Sequence, residues 1–282
     1  MKLKSTLLAL SLATTFATTA NAETSYQHIR NATAKIEMAG STFLVDPYLA
    51  PKGTYEGFAG TINSEKRNPL IDMSMPVEKV LEGVDAVIVT HTHDDHWDEY
   101  AQKVLPKDLP IFVQNAGDAK IIRSQGFKDV RVLGKNTEFN QVKLSKTGGQ
   151  HGTDQMYAVP QLAELLGEAM GVVMQAKGEK TLYIIGDTIW NNEVDYALDH
   201  YKPDVIVMNT GYAQIQGNPN GIIMGKADVA KASQVAPNSA IITVHMDAVN
   251  HASVTSDEMR QFVKENKLNN VAVPKMGEVL KF

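Results

Sequence analysis

The stretch His91-Thr92-His93-Asp94-Asp95-His96-Trp97-Asp98 packs three imidazoles and three carboxylates into one short segment. Imidazole nitrogen and carboxylate oxygen together suit zinc, manganese or iron, whereas calcium and magnesium prefer all-oxygen shells. His91 and His93 are two residues apart, so on an extended segment their rings share one side. Asp95 and His96 follow on the turn and can face a second ion. The run before them, Val84-Asp85-Ala86-Val87-Ile88-Val89-Thr90, is mostly apolar and has no glycine or proline, the pattern of a buried strand. A solvated polar loop is the plain alternative. Three histidines at this spacing, directly after an apolar strand, point instead to a metal site.

The segment matches H-x-H-x-D-H, and on it the chain resembles the metallo-β-lactamase superfamily. That family takes further ligands from the ends of later strands in the order His, Asp, His. Gly148-Gly149-Gln150-His151-Gly152, Ile184-Ile185-Gly186-Asp187-Thr188 and Ile241-Ile242-Thr243-Val244-His245 supply them in that order. The resemblance implies an α/β fold, a four-layer αββα sandwich over residues 23–282. It also implies two divalent ions per chain, zinc first, with manganese or iron as alternatives. His91, His93 and His151 would hold one ion, Asp95, His96 and His245 the other, and Asp187 would bridge them. Two divalent ions, two aspartates and a hydroxide leave a net charge of about +1, and such a centre lowers the pKa of water from about 15.7 to near 7. Asp95 would orient the nucleophile and pass a proton to the leaving group, which makes it the expected catalytic residue.

Asp46-Pro47, Arg67-Asn68-Pro69-Leu70, His96-Trp97-Asp98 and Met224-Gly225 look like the ascorbate-phosphate lactonase-like branch. Glyoxalase-type and acyl-homoserine-lactone enzymes share all seven ligands, so the ligands leave the substrate open. Hydrolysis of a carboxylic ester or lactone by metal-bound hydroxide is the first expectation. A phosphodiesterase or other phosphoester hydrolase is the second, with Arg67 as the motif-borne cation for the phosphate. A metal-binding protein without turnover is the third. Four further residues are candidates for substrate contact or for orienting a ligand: Asp46, Arg67, Tyr212 and His251. Asp46 is equally a turn residue, and the alternative for His251 is a structural role. Trp97 reads as packing, Asp98 as a helix cap, and His28 and His200 as surface residues.

The elements that must position these groups alternate along the chain. Residues 33–46 read as a hairpin turning at Ala39-Gly40, and residues 47–77 as a long connection that can cover the site edge. Helices are expected over 99–105 and 117–125, within 152–170, around 194–200 and over 226–235, with strands between them. Leu162, Leu165 and Leu166 have helical spacing and form either core or pocket wall. Residues 209–225 read as a glycine-rich loop in which Tyr212, Asn218 and Met224-Gly225 are candidate pocket residues. Thr255-Ser256-Asp257-Glu258 is a capping box opening the last helix.

The 282 residues carry a net charge of −5 and no cysteine. Disulfides and thiolate ligands are therefore excluded. Without a Lys/Arg run, the negative balance argues against nucleic acid as a partner and leaves a small-molecule substrate. Residues 1–22 combine Lys2 and Lys4, an apolar core and Ala20-Asn21-Ala22, the pattern of a cleavable signal peptide, and so imply a periplasmic or secreted protein. No later stretch is long and apolar enough for membrane insertion, and the oligomeric state is open.

Overall fold

The computed structural model describes residues 23–282. The expected signal peptide, 1–22, lies outside the described residues. The first half of the chain runs β1 (Ser25–Arg30), β2 (Thr33–Met38), β3 (Ser41–Val45), α1 (Val77–Leu81), β4 (Ala86–Val89), α2 (Glu99–Val104), β5 (Ile111–Val113), α3 (Ala116–Ser124) and β6 (Val130–Val132). The second half runs β7 (Thr137–Phe139), β8 (Val142–Gly148), α4 (Asp154–Tyr157), α5 (Pro160–Leu166), β9 (Met170–Gln175), β10 (Leu182–Ile184), α6 (Asn192–Tyr201), β11 (Val205–Asn209), α7 (Lys226–Val235), β12 (Ala240–Val244), α8 (Ser256–Glu265), β13 (Val271–Ala272) and β14 (Val279–Lys281).

Two seven-stranded sheets result, ordered β14-β1-β2-β3-β4-β5-β6 and β13-β12-β11-β10-β9-β8-β7. Side chains alternate across each strand, so each sheet buries two faces. The inner faces meet in one core that includes Ile36, Phe43, Ile88 and Phe112 from the first sheet and Leu144, Val172, Ile184 and Val207 from the second. The outer face of the first sheet packs through Val87, Val89 and Ile111 against Val80, Ala101 and Ile122 of α1–α3. That of the second packs through Tyr183, Ile206 and Ile241 against Val194, Val229 and Met259 of α6–α8. The layers are helices, sheet, sheet, helices, the sandwich expected from the sequence.

Local signals act where expected. Ala39 and Gly40 both take positive φ (49° and 75°), the twist a tight hairpin needs, and β2 pairs antiparallel with β3. Asp98 caps α2 by accepting from Ala101 N at 2.6 Å. Its other oxygen accepts from Leu49 N and Ala50 N, tying the start of the long connection to the same helix. Trp97 is buried beside Phe127 with its indole N–H on Gln125. β1, β7, β13, β14 and the short α1 have no counterpart among the sequence expectations. β14 comes from the far end of the chain and closes the first sheet beside β1. His28, expected at the surface, is buried in β1. Among the described residues, no helix is long and apolar enough to cross a membrane.

β3 to β6 are parallel to one another, as are β10 to β13. The carboxyl ends of β3, β4, β10, β11 and β12, together with those of β1 and β8, carry the polar residues described next.

Candidate metal centre

Each strand of this edge stops at a polar residue. Asn31 follows β1, Asp46 follows β3 and His91 follows β4. His151 follows β8, Asp187 follows β10, Asn209 ends β11 and His245 follows β12. Three of these, Asn31, Asp46 and His245, have positive φ (54°, 45° and 62°), a conformation that costs a non-glycine residue about 1–2 kcal/mol. It breaks the strand sharply at the edge. Gly186, just before Asp187, is held the same way, and a Cβ there would lie 2.3 Å from the carbonyl oxygen of Met170. No other residue fits that approach.

Five imidazoles and two carboxylates converge. The ligand atoms of His91, His93 and His151 lie within 4.8 Å of one another, as do those of Asp95, His96 and His245, and those of His91, His96 and Asp187. Asp187 Oδ2 lies between the groups, 3.0 Å from His151 Nε2, 3.1 Å from His96 Nε2 and 3.5 Å from His245 Nε2. Asn209 Nδ2 donates to Asp187 Oδ1 at 2.5 Å and fixes that carboxylate.

Hydrogen bonds to the far ring nitrogens decide which lone pairs face inward. His96 Nδ1–H donates to Asp46 Oδ2 at 2.8 Å, His151 Nδ1–H to Leu166 O at 3.1 Å, and His93 Nε2–H to Leu165 O at 3.1 Å. Thr90 donates both its N–H and its hydroxyl to Asp46, so its oxygen accepts from His91 Nδ1–H at 3.1 Å. In the neutral rings the lone pairs therefore sit at Nε2 of His91, His96 and His151 and at Nδ1 of His93. His91 Nε2 is buried with no hydrogen-bond partner among the described residues. The lone pairs of His96 and His151 face a carboxylate oxygen, and His96 Nε2 is 3.0 Å from His245 Nε2. Acceptor against acceptor at these distances needs positive charge between them. The residues fit a metal ion.

Electrostatics agree. Burial works against charge on His96, yet Asp187, Asp46 and Asp95 outweigh it and hold the ring well above its ordinary pKa. Burial likewise opposes ionisation of Asp95 and Asp187. The neighbouring His96 and His245 nevertheless hold both carboxyls well below the usual range. His91 is pushed well below by burial and then by its histidine neighbours. The anionic groups thus draw cations, and His91 stays an open lone pair.

A cavity of about 330 Å³ opens over the cluster, with Asp95 and His93 at its base. Phe58, from the long connection, and Leu165, Leu166, Ile215 and Ile222 wall it, and His251 lines it too. The connection is held by Asn250, which accepts from Phe58 N at 2.9 Å and donates to Thr61 Oγ1 and Ile62 O, both at 2.8 Å.

The structure brings all seven expected ligands together, with Asp46 behind His96. Two expected substrate contacts are elsewhere. Arg67 turns away from the cluster, bonding Gly53 O and Thr54 O and pairing with Glu56, so it clips its own loop. Tyr212 packs its ring beside Gly221 and Gly225 and donates to Pro219 O, which makes it a brace of the 209–225 loop. The wall residues of that loop are Ile215 and Ile222 instead of Tyr212, Asn218 and Met224-Gly225. Sequence reasoning missed Asn31, Asn209 and Asn250. Asn209 was findable, because it closes an apolar strand as His91 and His245 do. Asn31 Nδ2 lies 3.2 Å from both Asp95 O and His245 Nε2, contacts that a turn asparagine does not announce.

A family model described as the beta-lactamase superfamily domain matches residues 42–246. A possible metal-dependent hydrolase from Veillonella parvula DSM 2008 superposes with a TM-score of 0.91 at 51% identity, over 92% of this chain and 99% of that one. The isothiocyanate hydrolase from Delia radicum gut bacteria superposes with a TM-score of 0.88 at 43% identity, again over 92% and 99%. The UPF0173 protein YddR of Bacillus subtilis strain 168 is 42% identical over 255 residues, 90% of this chain and 98% of its own length. None of these relatives is described as periplasmic or exported. The signal-peptide and periplasmic expectation, which rests on residues outside the described part, is withdrawn.

Proposed function

The chain belongs to the metallo-β-lactamase-fold superfamily and is a metal-dependent hydrolase, and from that premise we propose that it hydrolyses small, uncharged, apolar-tailed electrophiles, isothiocyanates first. The observation that carries this reading is the cavity: apolar on its walls, with Asp95 and His93 in its lining and no lysine or arginine among the described residues that line it. An apolar tail gains about 25 cal/mol per Å² by entering it. A phosphodiester would bring a buried negative charge with no basic side chain to meet it. The full-length similarity at 43% identity to a hydrolase of isothiocyanates supports that class. A carboxylic ester or lactone is the second reading, since the same walls suit a short acyl chain.

Two divalent ions are part of the proposal, zinc first. His91, His93 and His151 would hold one, Asp95, His96 and His245 the other, with Asp187 between them. When bound, such ions supply positive charge to the reacting centre and make water acidic enough to ionise near neutral pH. The chain's own residues do the rest. The apolar wall seats the tail and excludes bulk water. Asp46 and Thr90 set the rings of His96 and His91. Asp95 turns Oδ2 to His245 Nε2 at 3.2 Å and makes no hydrogen bond through Oδ1 among the described residues. Oδ1 is therefore the atom that takes a proton from water and returns it to the leaving nitrogen. The reaction balances as R–N=C=S + H₂O → R–NH₂ + O=C=S.

The test is a panel of benzyl isothiocyanate, an aryl acetate, a γ-lactone and a bis-aryl phosphodiester on metal-analysed protein. Isothiocyanate turnover is expected to lead, and Asp95→Asn to slow it by about 10²-fold or more. Phosphodiester turnover with the other three inert would overturn the reading.

A further inference from the structure

We infer that His251 is a catalytic residue, its Nε2–H donating a hydrogen bond to the terminal heteroatom of the substrate, the sulfur of an isothiocyanate, as negative charge gathers there. This rests on the proposal that the cavity seats a small uncharged electrophile. The placement is the first support. His251 lines the same cavity as Asp95 and is only 8% exposed. Phe58 packs edge-on against its ring at 4.9 Å, and its backbone carbonyl accepts from Gln214 N at 3.0 Å. Ring and backbone are both held.

The second support is an orphan. Nδ1 of His251 is buried with no hydrogen-bond partner among the described residues. Buried polar atoms without a partner are uncommon, and a buried N–H is rarer than a buried lone pair. The cheaper tautomer therefore places the lone pair at Nδ1 and the proton at Nε2. Nε2 makes no hydrogen bond among the described residues and is the nitrogen left to the cavity. Burial also pushes the ring's pKa down to about 4, so at neutral pH it is an uncharged donor. His28 shares the unpartnered buried Nδ1, so the orphan by itself marks no site; what sets His251 apart is that the cavity it lines with an unused nitrogen is the one that also holds His93 and Asp95.

The step balances. Water oxygen bonds to the central carbon while the C=S π pair moves onto sulfur, where Nε2–H meets it. One proton of the water passes to Asp95 and then to nitrogen. As nitrogen takes the first proton, the pair on sulfur re-forms C=S in place of the C=N π bond; the C–N σ pair then leaves with nitrogen as the second proton passes from oxygen to nitrogen and the oxygen pair closes C=O. Amine and O=C=S leave, and His251 neither gains nor loses a proton.

His251→Phe keeps the ring against Phe58 and removes both nitrogens. Loss of one such donor costs about 10²–10³ in kcat, so that fall is expected with KM within about threefold. Metal content should equal the wild type's. With the orphan gone, the variant should melt at or above the wild-type temperature, in metal-free as in loaded protein. His251→Gln retains an N–H and should recover about tenfold of the lost rate. A Phe variant with wild-type kcat overturns the inference, as does a rate loss that comes with a lower melting temperature and lost metal. A wild-type protein inert to isothiocyanates and esters alike would overturn the reading of the site instead.

Discussion

Asp46→Asn isolates what holds the histidines in place. Asp46 accepts three hydrogen bonds: Thr90 N at 2.7 Å on Oδ1, and Thr90 Oγ1 and His96 Nδ1, both at 2.8 Å, on Oδ2. Asparagine tolerates the positive φ and has nearly the same shape. Its amide, however, has one nitrogen, and either orientation sets that nitrogen against a donor. If it faces His96, the ring's proton is driven from Nδ1 to Nε2 and the inward lone pair is lost. The Thr90 hydroxyl is turned as well, and with it the proton of His91. If it faces Thr90 N instead, a buried backbone donor is stranded. Removing a carboxylate that orients a ligand histidine typically weakens metal binding 10–100-fold, about 1.4–2.7 kcal/mol. Losing one charge-assisted hydrogen bond costs the fold about 1.5–3 kcal/mol. Competition for zinc with a chromophoric chelator reads the first effect, and thermal melting of the metal-free protein the second. Wild-type zinc affinity in a folded Asp46→Asn variant would refute the orientation argument.

His28, buried in β1, gives a pH prediction. Burial, then the Arg260 charge, push its pKa down to about 4, while the unfolded value is about 6.5. Between those values the unfolded chain binds the extra proton, so this residue's contribution to stability is lost as pH falls from 6.5 towards 4, by about 2–3 kcal/mol at pH 4.5. Urea midpoints at pH 7 and 4.5 should converge by that amount in His28→Gln, and equal pH sensitivity in both proteins would contradict the assignment. Asn250→Ala should free the Phe58 segment, because it removes the bonds to Phe58 N, Thr61 and Ile62. KM is expected to rise several-fold with metal content unchanged and stability down by about 2–3 kcal/mol. An unchanged KM would mean that this segment does not shape the bound state.

The amino-acid sequence determined the fold class and the residues of the cluster through its family resemblance, which rests on H-x-H-x-D-H and the three later segments. A long apolar strand followed by His91-Thr92-His93-Asp94-Asp95-His96 is informative because burial and ligation both leave marks on residue type. The same mark, an apolar run leading to a polar residue, accompanies Asp187 and His245, whereas His151 follows the mixed strand β8 and a Gly-Gly-Gln turn. The hairpin at Ala39-Gly40, the Asp98 cap and the Thr255–Glu258 capping box were legible because their partners lie within a few residues. β1 and β14 were not, since a strand that pairs with a segment from the other end of the chain needs no strong local pattern.

Tertiary structure alone decided the pocket. Phe58, Ile215 and His251 come from three separate loops and Leu165 from α5, and their meeting depends on long-range bonds such as Asn250 to Phe58 and Asn68. Arg67 shows the limit from the other side. A guanidinium in a loop near the motif can satisfy its donors on any carbonyl in reach, and the carbonyls of Gly53 and Thr54 are nearer to hand than a substrate. His28 was read as a surface residue because an isolated histidine carries no sign of burial, which depends on what packs over it. Residue type specifies what a side chain can do, while neighbours distant in the chain decide which nitrogen of His91, His96 or His251 is left to do it.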